Sequence, residues 1–429
     1  MKVLVISHNV FSTTDSMGKT LSQLFAGFSP DEIAQFYIHN GKPERNDICR
    51  HYYQFTDTFA LKSVFTRRQY GCVYKIESYE DNLTQFNKNN GSKSKVYETG
   101  RKRTPFIYIM RECIWNLGRW KTPKFIDWIT DFDPDVIFLA SGDYAFMYNI
   151  AFFAANLLNK PLVMMCFDDF YLYNMNQHSL LGRIRQKYFM KTVKKVANRC
   201  SSIITVCQSM ADAYSKLFHK KCHTLYTSAQ PVNTKFNKEA KRIAYFGSLG
   251  LGRDNQLVEI GKVLLQCKIE DKPKLIDVFT FDQREEALAK MVVKNGIRLN
   301  KGVTQDEMYR IYSECRAVIH VESFDPNISQ RTKYSLSTKI AESMASAPCL
   351  FAYGPKGIGS IEYLIDNNSA IVVTNSTELE KALTRLFIDE KYVDTVKCNA
   401  RKVASKNHDI KKNYDKLYGI LQGAIDNEF

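Results

Sequence analysis

The sequence lacks the signals that mark metal-bound, disulfide-bonded or membrane-spanning proteins. Its eleven cysteines include no Cys-x-x-Cys pair and its eight histidines show no metal-ligand spacing, which argues against a zinc ribbon and a disulfide framework. The longest apolar run, residues 144–158, is interrupted by Asn149 and is shorter than the roughly 18 residues of a membrane-spanning helix. The opening residues have no apolar stretch and cleavage site typical of a secretory signal. These absences predict a cytoplasmic protein without a metal centre.

Glycine is missing where the most suggestive short motif needs it. Residues 15–20 read DSMGKT and end in the Gly-Lys-Thr that closes a nucleotide-binding P-loop. A P-loop requires another glycine five residues before Gly18, but that position is Thr13, and residues 8–16 contain no glycine. A true P-loop is therefore disfavoured, with a P-loop-like ATPase kept as an alternative. What remains is a strand, a loop with Gly18 and Lys19, and a helix whose N-terminus favours an anion.

Positive charge is abundant and unevenly placed. The net charge is +15, and its excess comes from residues 62–124, with fourteen Lys/Arg against five acidic residues, and residues 181–221, with ten against one. Trp115, Trp120 and Trp128 lie in or just beyond the first segment. Such a surface suits nucleic acid or the anionic face of a membrane. A solvated basic face over buried tryptophans is the alternative interpretation.

Short apolar segments alternate with helical stretches along the whole chain. Runs of this kind, rich in branched residues, are typical of parallel sheets covered on both faces. Because one sheet with so many strands would be unusually wide, we expect an α/β protein with two Rossmann-like, doubly wound domains. The segments read KVLVIS, DVIFLA, LVMMCF, SIITVC, RIAYFGS, KLIDVFTF, AVIHVES, CLFAYG and SAIVV.

A polar segment with one proline, residues 228–241, marks the expected domain boundary. We expect a first domain over residues 1–235, a second over residues 236–405, and a C-terminal segment over residues 406–429. Residues 55–104, with NKNNGSKSK at their centre, predict an insertion or mobile loop in the first domain.

The second predicted domain opens with RIAYFGSLGLGRDNQ. Gly247, Gly250 and Gly252 give a flexible loop after the strand, and Arg253 follows where the next helix should begin. The order Gly-x-x-Gly-x-Gly differs from the dinucleotide fingerprint, which disfavours a dehydrogenase. A loop that lets the backbone approach a ligand, followed by a guanidinium, suits a diphosphate. A glycine-rich turn with a surface arginine is the alternative.

A second candidate ligand segment reads YSLSTKIAESMASAPCLFAYG. The hydroxyls predict a helix that begins at Ser337 or Thr338, which places Lys339 and Glu342 on one face. A helix N-terminus with hydroxyls and a lysine can bind phosphate, and a glutamate one turn later can accept both hydroxyls of a ribose. A capped amphipathic helix with an exposed ion pair is the alternative.

Two adjacent carboxylates, Asp168 and Asp169, follow the predicted strand LVMMCF. The carboxyl end of a parallel strand is where open α/β sheets bind ligands. Because the two are adjacent, they do not form an Asp-x-Asp metal motif. Capping of the next helix by one of them is the alternative.

In this order the segments resemble the retaining, nucleotide-sugar-dependent GT-B glycosyltransferases usually called family four. The resemblance covers nearly the entire chain, and the collinear order of its motifs carries it. It implies two Rossmann-like domains facing a cleft, with a C-terminal helix that crosses back to the first domain. The matching segments include FDPDVIFLA, KPLVMMCFDD, SSIITVCQSMADAY, RIAYFGSLGLGRDN, KGVTQDEMYRIYSECRAVIHV, STKIAESMASAPCL and NARKVASKNHDIKKNYDKLYGIL.

The resemblance also implies a set of donor-binding residues. Gly18 and Lys19 would approach the donor diphosphate from the first domain, and Arg253 and the Ser248 loop would hold it from the second. Val303 would meet the nucleobase through its backbone.

Other positions concern the sugar and the ribose. Glu342 would take the ribose hydroxyls, whereas Tyr334 stands where the family often has a first glutamate that reads the donor sugar. Asp168 and Asp169 resemble an Asp-Asp-aromatic variant of bacterial surface-polysaccharide enzymes, which implies a catalytic role at the reacting sugar.

The residue types fit the chemistry of sugar transfer. Cleavage of the bond between sugar and diphosphate builds negative charge on the leaving phosphate and positive charge on the sugar ring. Arg253, Lys339 and the helix N-terminus near Ser337 would stabilise the first, and Asp168 or Asp169 the second. In retaining enzymes of this kind the leaving phosphate is thought to accept the acceptor's proton. We therefore expect retention, a UDP- or GDP-sugar as co-substrate, and no metal or other cofactor.

The expected acceptor is a saccharide or lipid-linked saccharide of polysaccharide or glycan biosynthesis. The basic first domain would make peripheral contact with the anionic inner face of the plasma membrane, without a nucleic-acid partner. The alternative from another class is a nucleic-acid-binding protein that uses the basic segments 62–124 and 181–221. A non-catalytic or phosphorolytic relative of the same fold also remains open.

Overall fold

In a computed structural model, the chain folds into two units. The first unit comprises Met1–Leu225 and Asn413–Phe429, and the second comprises Tyr226–Lys412. The residues that the structure describes are 1–13, 16–66, 68–76, 105–173, 179–229, 239–270, 273–346 and 348–426.

The first unit is built on a parallel sheet with one antiparallel edge strand. Its described strands follow the order β4-β3-β2-β1-β5-β6-β7-β8, and β4 runs antiparallel to β3. The strands are β1 (Val3–Ser7), β2 (Ile33–Tyr37), β3 (His51–Gln54), β4 (Cys72–Lys75), β5 (Val136–Ala140), β6 (Leu162–Cys166), β7 (Ser202–Thr205) and β8 (Cys222–Thr224).

The centre of this sheet lies between β1 and β5. Val3 pairs with Ile33 on one side and with Val136 on the other, and all five residues of β1 are buried. Strand order reverses between β1 and β5, so a ligand crevice is expected at their carboxyl ends. Continuous apolar runs form these central strands because helices cover both faces.

Helices connect the strands of the first unit. Thr56 caps the second of them by accepting from the Phe59 amide, and Thr122 caps the fourth by accepting from the Phe125 amide. They are α1 (Ser16–Phe25), α2 (Asp57–Phe65), α3 (Pro105–Leu117), α4 (Pro123–Phe132), α5 (Ala145–Leu158), α6 (Leu180–Arg199) and α7 (Gln208–Phe218).

We expected an insertion or mobile loop over residues 55–104; a mobile loop is wrong for the first part of this segment, and an insertion stays a prediction. Residues 57–65 form α2, and β4 pairs with β3 through the register Tyr53 to Val73. These elements escaped the sequence interpretation because β4 is a short edge strand whose residues are at most half-buried. Residues 77–104, including NKNNGSKSK, lie outside the described residues.

Two of the three tryptophans belong to the core of the first unit. Trp115 has no exposed surface and stacks on Phe146 with ring centroids 4.3 Å apart. Trp120 is also buried, while Trp128 is half-buried against Phe125 and Tyr53. The interpretation of the tryptophans as core residues under a basic surface therefore holds for Trp115 and Trp120.

The second unit is built on a wholly parallel sheet. Its described strands follow the order β11-β10-β9-β12-β13-β14, and the order reverses between β9 and β12. Ile243 pairs with Ile276 on one side and with Ala317 on the other. The strands are β9 (Arg242–Phe246), β10 (Ile276–Thr280), β11 (Ile297–Lys301), β12 (Cys315–Val321), β13 (Cys349–Tyr353) and β14 (Ile371–Val373).

The helices of the second unit include the one predicted to begin at Ser337 or Thr338. That helix spans Thr338–Met344 with Ser337 as its N-cap residue, which confirms the predicted start. The helices are α8 (Arg253–Gln266), α9 (Glu285–Leu288), α10 (Gln305–Tyr312), α11 (Pro326–Thr332), α12 (Thr338–Met344), α13 (Gly359–Asp366), α14 (Leu379–Ile388) and α15 (Glu390–Asn407).

The chain ends in a helix that packs on the first unit. This helix, α16 (Ile410–Asp426), brings Tyr414 against Phe28 with ring centroids 5.1 Å apart. Gly27 is glycine because a Cβ there would overlap the Tyr414 ring, whose Cε2 would lie 2.7 Å away. Residues from both ends of the chain thus build the same unit.

All nine strands predicted from apolar segments are present, and the predicted doubly wound α/β fold is confirmed. Among the described helices, none is long and apolar enough to cross a membrane.

Candidate active site

Each unit has a pocket at the point where its strand order reverses. In the second unit, a pocket of about 240 Å³ lies at the carboxyl ends of β9 and β12, the position at which doubly wound sheets bind ligands. We call it the second-unit pocket. Its lining comprises residues 245–248, 318–321 and 337–340 together with Arg253, Tyr312, Ser343 and Leu350.

This pocket brings together four of the predicted donor-binding residues: Ser248, Arg253, Ser337 and Lys339. Arg253 is the first residue of α8, and Lys339 lies in the first turn of α12. Two cations and two hydroxyl side chains therefore converge on one concave site, although Arg253 and Lys339 are 86 positions apart in the chain.

The glycines of the loop after β9 are required by close contacts and by backbone conformation. Gly247 has φ +146°, and a Cβ there would lie 3.3 Å from Cε of Lys339, so the lysine side chain crosses directly over this glycine. Gly252, with φ +72°, is the N-cap residue of α8, and a Cβ would lie 2.7 Å from Oγ of Ser323. A side chain at position 247 would press on Lys339, and one at position 252 would displace Ser323 at the start of α8.

The Ser248 loop is fixed by a carboxylate that sequence reasoning missed. Asp282 accepts hydrogen bonds from Oγ of Ser248 and the amide of Leu249, both at 3.1 Å. Arg284 pairs with Asp282 through Nε at 2.8 Å and holds the pKa of this carboxyl well below its usual range. The only available signal was an acidic residue just beyond the end of β10.

Tyr245 supports the loop from below. Its hydroxyl donates to the carbonyl oxygen of Ser248 at 2.6 Å. Burial raises the pKa of Tyr245 to about 12, so the hydroxyl stays protonated and keeps donating at neutral pH. The pocket wall around Ser248 is therefore preorganised.

A buried acidic residue lies next to the lining of the second-unit pocket. Glu322 is 2% exposed, and its carboxylate lies 3.1 Å from Nε2 of His320, a pocket-lining residue. Burial alone would raise the pKa of Glu322, but His320 and the charge of Arg253 more than offset it, and the pKa falls below its usual value. The charged form of Glu322 partly balances Arg253 and was not anticipated from the sequence.

Val303 and Glu342 lie beside the second-unit pocket rather than in its lining. Val303 follows β11 and packs against the apolar cluster around Phe246. Glu342 accepts from the amide of Gln305 at 3.4 Å, and the same amide donates to the Tyr309 hydroxyl at 2.6 Å. The nucleobase and ribose roles expected for Val303 and Glu342 therefore stay predictions.

The first unit has a larger pocket, of about 480 Å³, at the carboxyl ends of β1 and β5. We call it the first-unit pocket. Asp168 is exposed and lines it, opposite residues that follow the other central strands. The rest of the lining comprises His8, Asn9, Met17, Ile38, His39, Asn40, Asp57, Thr58, Tyr108, Arg111, Ala140, Gly142, Asp143, Tyr144, Met147 and Phe170.

The two predicted catalytic carboxylates occupy different environments. Asp169 is 6% exposed and accepts hydrogen bonds from the amides of Tyr171 and Leu172 and from the Tyr214 hydroxyl, at 3.2, 2.8 and 2.8 Å. Burial raises the pKa of Asp169 despite these bonds. The geometry gives Asp169 a local capping role and leaves Asp168 as the carboxylate that faces the pocket.

A polar chain of three residues runs along the first-unit pocket. Nη2 of Arg111 donates to Nε2 of His8 at 3.3 Å, and Nε of Arg111 donates to Asp57 at 2.8 Å. Trp115 donates to the same Asp57 oxygen at 2.7 Å. Desolvation and the Arg111 charge lower the pKa of His8 to about 4. His8 is therefore a neutral imidazole at physiological pH.

A third carboxylate of this pocket, Asp143, is held by α3. The Tyr108 hydroxyl donates to Asp143 at 2.6 Å, and Arg185 of α6 donates to the Asp143 carbonyl oxygen. Glu112 caps α5 by accepting from the amides of Ala145 and Phe146 at 2.6 and 3.2 Å. Sequence reasoning missed Tyr108 and Glu112 because α3 lies inside the segment interpreted by its charge and its tryptophans.

Gly18 and Lys19 do not line the first-unit pocket. Gly18 is buried in the first turn of α1, where a Cβ would overlap the carbonyl oxygen of Val10 and lie 3.0 Å from Cβ of Ser12. Ser22 binds the Gly18 carbonyl at 2.9 Å. Close packing of α1 on the preceding loop thus explains the glycine, and the diphosphate role of Gly18 and Lys19 stays a prediction.

Among the described residues, no group of three or more His, Cys, Asp or Glu side chains could hold a metal ion. All eleven cysteines are free thiols.

Two family models match the chain. One, Glycosyltransferase Family 4, matches residues 88–229, and the other, described as Glycosyl transferase-like, matches residues 280–419. No curated protein matches the chain significantly in sequence.

Solved structures similar to this chain are glycosyltransferases and related proteins. HepE of Anabaena, in complex with UDP, is 14% identical, with a TM-score of 0.65 over 99% of this chain and 100% of that one. Sucrose-phosphate synthase from Thermosynechococcus elongatus is 10% identical, with a TM-score of 0.61 over 99% of both chains. A TarM mutant of S. aureus, bound to UDP among other ligands, is 10% identical, with a TM-score of 0.58 over 98% of this chain and 100% of that one.

These structures share only the fold at such identities, but the family models match long stretches in the two halves of the chain. Together with the two doubly wound sheets, they identify the chain as a GT-B glycosyltransferase of the family-four type.

Proposed function

We propose that the chain transfers a sugar from a UDP-sugar to a saccharide acceptor. The observation that carries this proposal is the convergence of Ser248, Arg253, Ser337 and Lys339 on one pocket at the strand-order reversal of the second unit. Two cations and several hydroxyls suit a diphosphate. HepE structures of the same fold contain UDP or UDP-glucose, which favours uridine over guanosine as the donor nucleoside.

In the proposed reaction, Arg253 and Lys339 stabilise the diphosphate as it leaves the sugar. Their contribution to the rate comes from charge that is greater in the transition state than in the bound donor. Asp282 and Tyr245 hold the Ser248 loop. The hydrogen-bonding groups of this loop therefore do not have to reorganise during the reaction. We include retention of anomeric configuration on the family-four resemblance, and analysis of the product anomer by NMR would test it.

The first-unit pocket is the proposed acceptor site. Asp143 and Asp168 line this pocket together with Asn9 and Asn40. Carboxylates and amides that bind hydroxyl groups suit a saccharide. Arg111 is stabilised between Asp57 and the Tyr144 ring, whose centroid lies 4.0 Å from its guanidinium carbon.

A thermal-stability panel tests the donor class. UDP, GDP, ADP, CMP and ATP would be added to the purified full chain, each with and without magnesium. A ligand at a hundred times its dissociation constant should add about 2.7 kcal/mol of stability if it binds only the folded state. The proposal expects the largest shift with UDP. A shift with ATP and magnesium alone, or none with any nucleotide, would overturn it.

One exposed surface of the first unit is suited to contact with a membrane. Helices α3 and α6 are linked by the hydrogen bond from the Tyr188 hydroxyl to Asn116 at 3.2 Å. Exposed apolar side chains on the two helices are Phe106, Met110, Leu117, Leu180, Leu181 and Ile184. We call this set the α3–α6 surface.

Positive charge borders the α3–α6 surface. Arg183, Lys187 and Lys191 are exposed on α6, which has no acidic residue. Apolar side chains with a lysine- and arginine-rich border suit the interface of an anionic bilayer. We propose that this surface makes the peripheral membrane contact, which would place the first-unit pocket near a lipid-linked acceptor because Tyr108 and Arg111 of α3 line that pocket.

Flotation with liposomes tests the membrane proposal. The wild type should float with vesicles that contain anionic lipid at low salt, and less so as salt screens the charges. The substitution Ile184→Glu should reduce flotation, whereas Ile388→Glu, at an exposed apolar residue of the second unit, should not. Absence of flotation by the wild type, or equal flotation of the two variants, would overturn the proposal.

A further inference from the structure

An exposed aromatic ring lies at the carboxyl ends of the strands of the second sheet, close to the second-unit pocket. Phe281 directly follows β10 and is 69% exposed, although phenylalanine is among the residues most often buried. Its neighbours along the chain are held in place, since Thr280 is buried and Asp282 anchors the Ser248 loop. The fold therefore fixes the backbone on both sides of Phe281 and leaves most of its side chain exposed.

The position of Phe281 is set from both sides. On one side, Asp282 accepts a hydrogen bond from Oγ of Ser248, a residue of the pocket. On the other side, the amide of Gly302 donates to the carbonyl oxygen of Thr280 at 2.7 Å. Phe281 thus lies between the loop after β9 and the turn after β11, on the sheet edge where ligands bind.

One face of the ring lies against Gly302. A Cβ on Gly302 would lie 2.5 Å from Cγ and 2.6 Å from Cε2 of Phe281. Gly302 is not among the glycines with positive φ, so a side chain at this position would displace the ring rather than strain the backbone. Because Gly302 covers only part of the ring, an outer face remains for a flat ligand.

The polar side chain of Gln305 lies three residues after Gly302 in the chain. Val303 follows Gly302, and the Gln305 amide bridges Glu342 and Tyr309. This sheet edge therefore offers a flat apolar ring on one side and hydrogen-bonding groups near Glu342 on the other. Flat heteroaromatic groups stack on aromatic side chains with little dependence on the base, at about 1–3 kcal/mol per base.

We propose that Phe281 is the platform on which the nucleobase of the donor stacks. The inference rests on the proposed function, because it assigns a residue to the base of the same nucleotide whose diphosphate the second-unit pocket would bind. Stacking adds affinity for the nucleotide without contacting the diphosphate or the sugar.

Calorimetric titrations of the full chain with UDP and with inorganic pyrophosphate test this assignment. Phe281→Ala should weaken UDP about tenfold and leave pyrophosphate binding unchanged, since pyrophosphate has no base. Phe281→Tyr should keep the wild-type affinity for UDP. The control is Phe65→Ala, which removes an exposed phenylalanine from the first unit and should change neither affinity.

A fluorescent variant gives a second readout. In Phe281→Trp the new indole should be quenched by UDP, but not by pyrophosphate, beyond any change seen in the wild type. Equal UDP affinity of wild type and Phe281→Ala, or no base-dependent quenching in Phe281→Trp, would overturn the inference and leave the proposed function intact. A wild type that binds no nucleoside diphosphate would instead overturn both.

Discussion

At the residue scale, the two adjacent carboxylates Asp168 and Asp169 show how sequence neighbours can differ in role. Asp168 is exposed to the first-unit pocket, while Asp169 is buried with three hydrogen-bond donors around it. A pattern of two aspartates after a strand predicts a ligand site, but it does not say which one faces the ligand.

The first prediction separates these roles by Asp168→Ala and Asp169→Ala. Asp168→Ala should leave the thermal midpoint unchanged and lower the transfer rate about a hundredfold, the order of magnitude for loss of one electrostatic group. Asp169→Ala should lower stability by about 1–3 kcal/mol, because it leaves the Tyr214 hydroxyl without its acceptor. Transfer rates and thermal midpoints of both variants would be measured. Full turnover by Asp168→Ala, or an unchanged midpoint for Asp169→Ala, would contradict this assignment.

The second prediction concerns pH and Glu112. Burial raises the pKa of Glu112 to about 7, so the folded first unit binds this proton more tightly than the unfolded chain does. Stability from this group is full below the unfolded pKa of about 4.5 and is lost as pH rises through about 7. Between pH 5 and pH 8 the wild type should lose about 2.5 kcal/mol more stability than Glu112→Gln.

Thermal or urea unfolding at the two pH values gives the comparison. Glu44→Gln removes an exposed carboxylate of the first unit and should behave like the wild type. If Glu112→Gln shows the same pH dependence as the wild type, the raised pKa is not real.

Local chemistry made some site residues predictable. Ser337 as a helix start and Arg253 after a glycine-rich loop follow from capping and glycine placement within a few residues of sequence. His8 and Asp282 act through partners 103 and 34 positions away in the chain, respectively. Such pairings depend on which loops the order of the strands places side by side. A local sequence pattern does not predict that order.

At the element scale, central strands were predictable and several others were not. Long apolar runs form β1, β5 and β9 because both faces of the sheet are covered. In the edge strand β11 only the first residue, Ile297, is fully buried, and the edge strands β8 and β4 are short. In β2, the buried Gln35 interrupts the apolar run, and its amide is satisfied by donating to Oγ of Ser7 at 2.8 Å.

The third prediction tests a backbone contact between two elements of the second unit. In α8, a Cβ on Gly261 would overlap the Asn295 carbonyl oxygen of the short helix Val293–Asn295 and lie 3.2 Å from the Gly296 carbonyl oxygen. Gly261→Ala should therefore cost about 1–3 kcal/mol of stability by overpacking. It should also weaken UDP binding, because α8 begins with Arg253.

The control for this prediction is Gly419→Ala in α16. A Cβ at Gly419 would meet nothing within 4 Å, so alanine should be neutral or add up to about 1 kcal/mol through its better helix propensity. Chemical unfolding of both variants supplies the measurement. An equal effect of the two alanines would show that α8 can move away from the short helix without cost.

At the scale of the whole molecule, composition predicted the charge but not its arrangement. The excess of lysine and arginine over residues 181–221 is visible in the sequence, and much of it lies on the outer side of α6. Exposure of Leu180, Leu181 and Ile184 beside that charge could not be predicted, because a pattern of apolar residues does not reveal whether another element covers them. The tryptophans illustrate the same limit, since Trp115 supports the pocket through Asp57 from inside the core.

The overall assignment depended on order along the chain more than on any motif. Apolar strands, a glycine loop ending at Arg253 and a capped helix with Lys339 are each common alone. Their occurrence in this order along one chain with two doubly wound units is much less common. Both pockets lie where the strand order of their sheet reverses.

The most direct measurement of the central claim is a calorimetric titration of the full chain with UDP. Wild type would be compared with Arg253→Ala and with Lys294→Ala, which removes an exposed lysine of the second unit. We expect one UDP per chain, at least tenfold weaker binding for Arg253→Ala because it loses a charge-assisted contact to the diphosphate, and no change for Lys294→Ala. Absence of UDP binding by the wild type, or equal affinity in Arg253→Ala, would contradict the assignment of the second-unit pocket to the donor.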